Sequence, residues 1–345
     1  MTPESTCTPH TPATRNFPRP NRLLAAAASV LLLSLAIVPA AFAQATPTMI
    51  VLRAMPKNSK KGETFTPLPP LTQADIAEIR LNGKPVPITS VDPLLKGPHV
   101  LQLMILLDSM QMIGGNGQFD AIRKFMTDMP SNVEIGVGWM LRSKVVVIQP
   151  FTTDHAAAGK VFVQKTREEA ANPQNDNGNP YSCLRELSAH WPGGDPAKLR
   201  AVIMFTDGII RNNSQPQGGD QLNPDVDGAS LILQRAGIVP YPFFYLDFPV
   251  VDSNRGEGGQ LEGQTNFSQL TADTGGEGLW EGQFSPGSFD PLLNKFYSVL
   301  NSEAVVTVAA PAKPGKQMRL DVKSAKDDFK INGPDQVTVG NALLK

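Results

Sequence analysis

Asp108 closes the apolar run LMILLDSMQMIGG (103–115), and Asp207 closes a second one, VIMFTDG (202–208). Carboxylates at the ends of such runs are hard oxygen donors, the kind that Mg²⁺ and Ca²⁺ take. The next side chains along the first loop are of the wrong kind for that chemistry. Met110 and Met112 carry thioethers, soft donors that do not suit hard cations. Two carboxylates completed by water hold a divalent ion only weakly. Asp108 and Asp207 are therefore expected to cap loops by accepting backbone N–H groups. No cofactor is expected; weak Mg²⁺, Mn²⁺ or Ca²⁺ at Asp108 and Asp207 is the alternative.

Catalytic constellations are sparse. Serine catalysis needs a histidine base within reach of the nucleophile. Beyond the N-terminal segment the chain offers only His99, His155 and His190. Neither a G-x-S-x-G elbow nor an H-E-x-x-H pair occurs, and Ser182 and His190 stand two helical turns apart. The acidic stretch NPDVDG (223–228) lacks the spacing and distal glutamate of a calcium loop. Asp220, Asp225 and Asp227 read as a solvated loop, with Asp227 capping the helix that follows. VVDSNRGEGGQLEGQ (250–264) follows no phosphate-loop spacing and reads as a flexible surface loop.

The elements that must position the two aspartates alternate between strands and helices. VLQLMILLD (100–108), LRAVIMFTDG (199–208) and IVPYPFFYLD (238–247) are near-continuous apolar runs, the mark of strands buried on both faces. VEIGVGWML (133–141) and KVVVIQPF (144–151) add two more, and EGLWEG (277–282) a short one. Helical spacing appears in QFDAIRKFMTDM (118–129), TDHAAAGKVFVQKTREEA (153–170), YSCLRELSAHW (181–191), GASLILQRAG (228–237), NFSQLTADTGG (266–276) and SFDPLLNKFYSVLNS (288–302). Such alternation predicts an α/β fold with a doubly wound, mostly parallel, Rossmann-like sheet. Ligands of such sheets bind outside the carboxyl ends of the strands, where Asp108, Asp207 and Asp247 stand. Around that core, IAEIRLNGKPVPITSVDP (76–93) has a hairpin signal at Asn82-Gly83. The tail AVVTVAAPAKPGKQMRLDVKSAK (304–326) returns to a β pattern, so a small flanking β element made from both ends is expected.

The 345 residues are 41% hydrophobic and 18% charged, with a net charge of -1, which fits a globular chain without a nucleic-acid footprint. Arg15, Arg19 and Arg22 precede the apolar run Leu23–Val38, and AFA stands before Gln44. This is the pattern of a signal peptide over residues 1–43. The chain is expected to be exported, periplasmic or secreted, with no membrane span after cleavage. Cys183 is then the sole cysteine, which excludes an internal disulfide and a paired-cysteine zinc site. The remaining divisions are expected to be a linker at 44–65, the β element at 66–97, the main domain at 98–302 and a C-terminal β tail at 303–345.

The ordered set MILLDSM (104–110), VIMFTDG (202–208) and TADTGGEGLW (271–280) resembles the von Willebrand factor A (vWA) domain. The flanks IRLNGKPVPI (79–88) and VTVAAPAKPGKQMRLDVK (306–323) look like a secreted branch of vWA proteins recorded chiefly in Acidobacteria, and the resemblance covers residues 75–325. In that family three loops converge on one divalent cation through D-x-S-x-S, a threonine and the aspartate of T-D-G. Asp108 and Asp207 match the first and third loops. Ser109 falls on the unconstrained position, and Met110 and Met112 occupy the hydroxyl positions. The threonine position falls near Pro180 or Tyr181 in GNPYSCLREL (178–187), or on Ser182 with a shifted register. The resemblance implies a non-catalytic module for protein–protein interaction or adhesion to a cell-surface ligand. Its expected face is Ser109, Met110, Met112, Tyr181 and Ser182 beside the two aspartates. Metal-dependent adhesion through the reduced site and a periplasmic hydrolase on the same sheet are the alternatives.

Overall fold

The computed structural model of the protein describes residues 45–109, 117–162, 178–210, 223–246, 256–281 and 286–341, with backbone alone for 256–260. The signal segment, Met110, Met112, Asp220, Asp247 and the later part of the 153–170 helix lie outside the described residues. Residues from Gln44 onward form one compact unit.

Its centre is β5, Leu101–Asp108, in which every side chain is buried. Leu103, Ile105 and Leu107 point into one core, and Met104 and Leu106 into the other, the alternation that a period of two imposes. β5 pairs in parallel with β6 (Val133–Leu141) on one side and with β8 (Leu199–Thr206) on the other. β9 (Ile238–Phe244) continues the parallel set, and β7 (Lys144–Thr152) returns antiparallel as the outer edge. The sheet order is β7-β6-β5-β8-β9. Counted from β5 this is 3-2-1-4-5, the order of a doubly wound sheet. Helices cover both faces. α1 (Gln118–Asp128) and α6 (Asp290–Ser302) bury Phe125, Phe296 and Leu300 on the first. α3 (Pro180–Ala189), α4 (Pro224–Ala236) and α5 (Gly256–Thr274) bury Leu184, Leu233 and Phe267 on the second. The short α2 (His155–Gly159) is capped by Asp154, whose carboxylate accepts the Ala157 N–H at 2.9 Å.

The two ends of the chain build more than a small appendage. β1 (Thr46–Pro56), β4 (Ile88–Pro93), β10 (Glu303–Ala310) and β12 (Phe329–Asn332) form one antiparallel sheet in the order β12-β1-β10-β4. β2 (Ile76–Leu81), β3 (Lys84–Pro85), β11 (Gln317–Ser324) and β13 (Gln336–Thr338) form a second, in the order β13-β11-β2-β3. Ile50, Leu52, Val306 and Val308 face Ile79, Leu81 and Leu320 across the sandwich core. On the opposite side of the first sheet, Val305 enters the core beneath α6, with Met49 and Val51 packed against it. β1 and β10 are thus covered on both faces, which is why neither alternates regularly between apolar and polar residues. Asn82 and Gly83 carry positive φ of 49° and 75° in the β2–β3 turn, the geometry a two-residue hairpin loop demands.

Four expectations need correction. Residues 46–56, expected within a linker, are a central strand; MIVLRAM lacks alternation because both its faces are buried. The stretch 250–264, read as a surface loop, supplies the first turns of α5 from Gly256 onward. EGLWEG is reduced to a single parallel bridge from Leu279 to Phe243. The cap of α4 is Asn223, whose side chain accepts the Asp225 N–H at 3.0 Å, while Asp227 accepts instead from Gln269 Nε2 at 2.5 Å.

Substituting Leu52→Ala is expected to cost about 2–5 kcal/mol in urea unfolding, the usual range for a core leucine. A linker position would tolerate the change within roughly 0.5 kcal/mol.

Candidate functional site

The sheet reverses its winding between β5 and β8. α1, after β5, lies on one face, and α4, after β8, lies on the other. The crevice at such a reversal, outside the carboxyl ends of the strands, is where ligands of these sheets bind. Asp108 ends β5 and Asp207 follows β8, so both stand at this point.

Leu107 pairs with Phe205, which puts Asp108 beside Thr206 at the next step. The Thr206 hydroxyl donates to Asp108 Oδ2 at 2.6 Å, in a region where Thr206 is fully buried and Asp108 is 6% exposed. A charge-assisted bond in such a place is stronger than its solvated counterpart. The Ser109 N–H donates to the Met140 carbonyl at 3.1 Å and ties the first loop to β6. Asp207 lies deeper, at 0% exposure, and its Oδ1 accepts the Ile209 N–H at 3.0 Å. Both aspartates thus accept bonds from the protein, Asp207 as a backbone loop cap and Asp108 from a hydroxyl.

The second loop reaches the third through Tyr181. Asn179 caps α3, its Oδ1 accepting from the N–H groups of Tyr181 and Ser182 at 3.0 and 3.1 Å. Its amide nitrogen donates to Asp225 of α4 at 2.9 Å. Proline at the first helical position follows, where its missing N–H costs nothing. This start turns Tyr181 inward, and its hydroxyl donates to the Gly208 carbonyl at 2.9 Å. Asn266 of α5 donates to the same carbonyl at 3.1 Å. Burial first, and then the Asp207 carboxylate, hold the Tyr181 phenol well above its ordinary range, so it stays a donor. α5 approaches the third loop so closely that a Cβ on Gly263 would stand 1.9 Å from the Asp207 carbonyl oxygen. Gly263 is thus required by that close approach.

Above these bonds is a hole of about 10 Å³ whose lining includes Asp108, Ser109, Met140, Arg142, Asn179 and Cys183. That is about the room one water needs. Asp207 is not part of the lining, so the two carboxylates do not share this hole. A divalent ion of the family type needs several hard oxygens aimed at one point. Among the described residues no group of three or more His, Cys, Asp or Glu side chains is placed to hold one. Asp108 Oδ2 accepts the Thr206 hydroxyl, and Asp207 is fully buried.

The expected interaction face changes accordingly. Tyr181 is fully buried and Ser109 is 9% exposed, because the hydrogen bonds above draw both beneath the surface; only Ser182 of the described set is partly open. Arg142, exposed at the rim, and Ser143 were not expected there. They form the β6–β7 turn with positive φ at both residues, 50° and 62°, in a loop type that favours glycine and asparagine. A basic residue between two strands was the available signal, and it reads as an ordinary solvated patch.

No protein-family model matches the chain, and no curated protein matches it. Solved structures do align with it. An aerotolerance-related membrane protein from Bacteroides fragilis is 16% identical over 58% of this chain and 98% of its own, with a TM-score of 0.38. The VWA domain of SpRpn10 is 12% identical over 57% and 94%, with a TM-score of 0.31. The pilus adhesin SpaC from Lactobacillus rhamnosus GG, in an open conformation, is 10% identical over 77% and 41%, with a TM-score of 0.39. At these values the chain's own strand order, and not the alignments, carries the fold assignment.

Three substitutions separate the bonds at this site. Thr206→Val is expected to cost about 1.5–3 kcal/mol, because a buried carboxylate loses a donor. Tyr181→Phe should cost about 0.5–1.5 kcal/mol, since Asn266 still serves the Gly208 carbonyl. Gly263→Ala should cost about 1–3 kcal/mol or more by forcing α5 off the third loop. Urea unfolding of the three variants checks both the size and the order.

Proposed function

We propose that this chain is an exported, vWA-like protein-interaction module that works without a metal ion, presenting the carboxyl-end crevice of its sheet to a protein or cell-surface ligand. The single observation that carries the reading is the pair of bonds Thr206–Asp108 and Tyr181–Gly208. Through them the three loops are joined to one another by protein groups at the place where a cation joins them in metal-bearing relatives of the fold. A preformed face of this kind spends little on ordering its loops when a partner docks, which favours binding. The scarcity of histidine, the usual base of nucleophilic catalysis, supports a non-catalytic role. Export rests on the N-terminal pattern of charge, apolar run and A-x-A ending. No helix among the described residues is long and apolar enough to cross a membrane.

Ser182 and Arg142 flank the crevice and are the positions a partner must meet. With a photo-crosslinking residue at Arg142 or Ser182, the protein should form a discrete adduct with an envelope protein or surface ligand. The same residue at Lys313, in the exposed β10–β11 turn, should not. The adduct should survive EDTA. Loss of the adduct in EDTA with recovery in Mg²⁺ would instead establish metal-dependent adhesion. Turnover in a broad hydrolase screen, abolished by Ser182→Ala, would replace the interaction reading altogether.

A further inference from the structure

Arg53 on β1 and Glu303 on β10 are direct cross-strand partners, so both side chains leave the sandwich on the same face. They meet the α/β sheet there, and both are buried, at 2% and 0% exposure. Arg53 spends its guanidinium on other groups. Nη1 donates to Glu277 Oε2, Nη2 donates to the Gly276 carbonyl at 3.1 Å, and the Phe65 ring lies 4.6 Å from Cζ. Glu303 Oε1 accepts the Tyr241 hydroxyl of β9 at 2.6 Å, and Glu303 Oε2 has no hydrogen-bond partner. Glu277 follows α5 and is fully buried. Its Oε1 faces Lys295 Nζ of α6 at 3.8 Å, and Lys295 is 29% exposed on the solvent side. On β4, the strand beside β10, the one charged side chain is Asp92, which is engaged with His99 at 3.2 Å; just after it, the Leu94 N–H donates to the Glu303 carbonyl at 2.9 Å.

Arg53 and Glu277 make a pair, and Lys295 leans on Glu277. Glu303 is left as a carboxyl group with one donor, a neighbouring carboxylate and no contact with water. A negative charge in such surroundings is costly. We propose that Glu303 carries a proton as part of the native fold, making the junction between the β-sandwich and the α/β sheet a pH-sensitive clasp that tightens in acid. Burial is the main cause that pushes this carboxyl up from 4.5 to about 7; Arg53 and the Tyr241 hydroxyl pull against it, and Glu277 adds a smaller upward push.

The direction of the effect follows from linkage. Between pH 4.5 and about 7 the folded chain holds a proton that the unfolded chain has released. Stability from this group is therefore complete below 4.5, falls as pH rises toward 7, and levels off above it. The folded state prefers the proton roughly 300-fold over the unfolded state. Asp273 is also raised, by burial and by Asp335, so a slope in the wild-type protein does not alone identify Glu303.

The test is thermal unfolding of the protein from pH 5 to pH 8, beside Glu303→Gln. The wild type should lose roughly 4–5 °C across this range, and the variant should lose most of that slope and exceed the wild type at pH 8. Carboxyl-carbon NMR on the wild type, with ¹³C-labelled glutamate, reads the same group without a substitution. Glu303 should titrate with a midpoint near 7. An unchanged slope in Glu303→Gln, or a midpoint near 4.5, would overturn the proposal.

Discussion

The carboxylate of Asp108 is almost wholly buried, at 6% exposure, and this constraint organises the top of the sheet. β5 delivers it there because its residues alternate between two cores, and position 108 falls on the side covered by α3, α4 and α5. A buried carboxylate must be bonded or neutralised. Parallel pairing with β8 sets Thr206 alongside, and its hydroxyl meets the need at 2.6 Å. The Thr206 hydroxyl also receives the Gly208 N–H at 3.3 Å, so the bond that satisfies Asp108 also shapes the loop that contains Asp207. That loop is then clamped from above by Tyr181 and from the side by Asn266 and Gly263. Sequence, packing and site are linked here through one hydroxyl.

A second constraint operates at the other side of the core. The ends of the chain pair with each other as β1 and β10, eight residues deep in register, and both faces of that pair are covered. The sandwich is therefore continuous with the α/β sheet's own core and shares Val305 with it. The same strands bring Arg53 and Glu303 to the junction, where charge has to be balanced without water. Arg200 ties another part of this seam, donating to the Ala236 and Asn341 carbonyls at 2.9 and 3.1 Å.

Much of the fold was legible because buried parallel strands have a plain signature. LQLMILLD and LRAVIMFTD are near-continuous apolar runs ending in the two aspartates, and Asn82-Gly83 announces its hairpin. β1 was not legible as a strand, since burial on both faces erases alternation and the run sits next to a polar, proline-rich stretch. The first turns of α5 were hidden because glycine is a poor helix former; tertiary contact with the Asp207 loop decides there. The aspartates were found from their positions at strand ends. The inward turn of Tyr181 was missed, because the residue type suits both a surface platform and a buried donor, and the capping by Asn179-Pro180 that settles it is a local signal easily read past.

The central claim is that the loops around Asp108 and Asp207 are held by protein hydrogen bonds in place of a cation. Thermal unfolding in EDTA, and then in millimolar Mg²⁺, Mn²⁺ or Ca²⁺, tests it most directly. A ligand at about 100 times its dissociation constant stabilises by roughly 2.7 kcal/mol, a shift of roughly 4–5 °C for a chain of this size. The account predicts coincident unfolding curves with and without each metal. A shift of that size that disappears in Asp108→Ala or Asp207→Ala would contradict it.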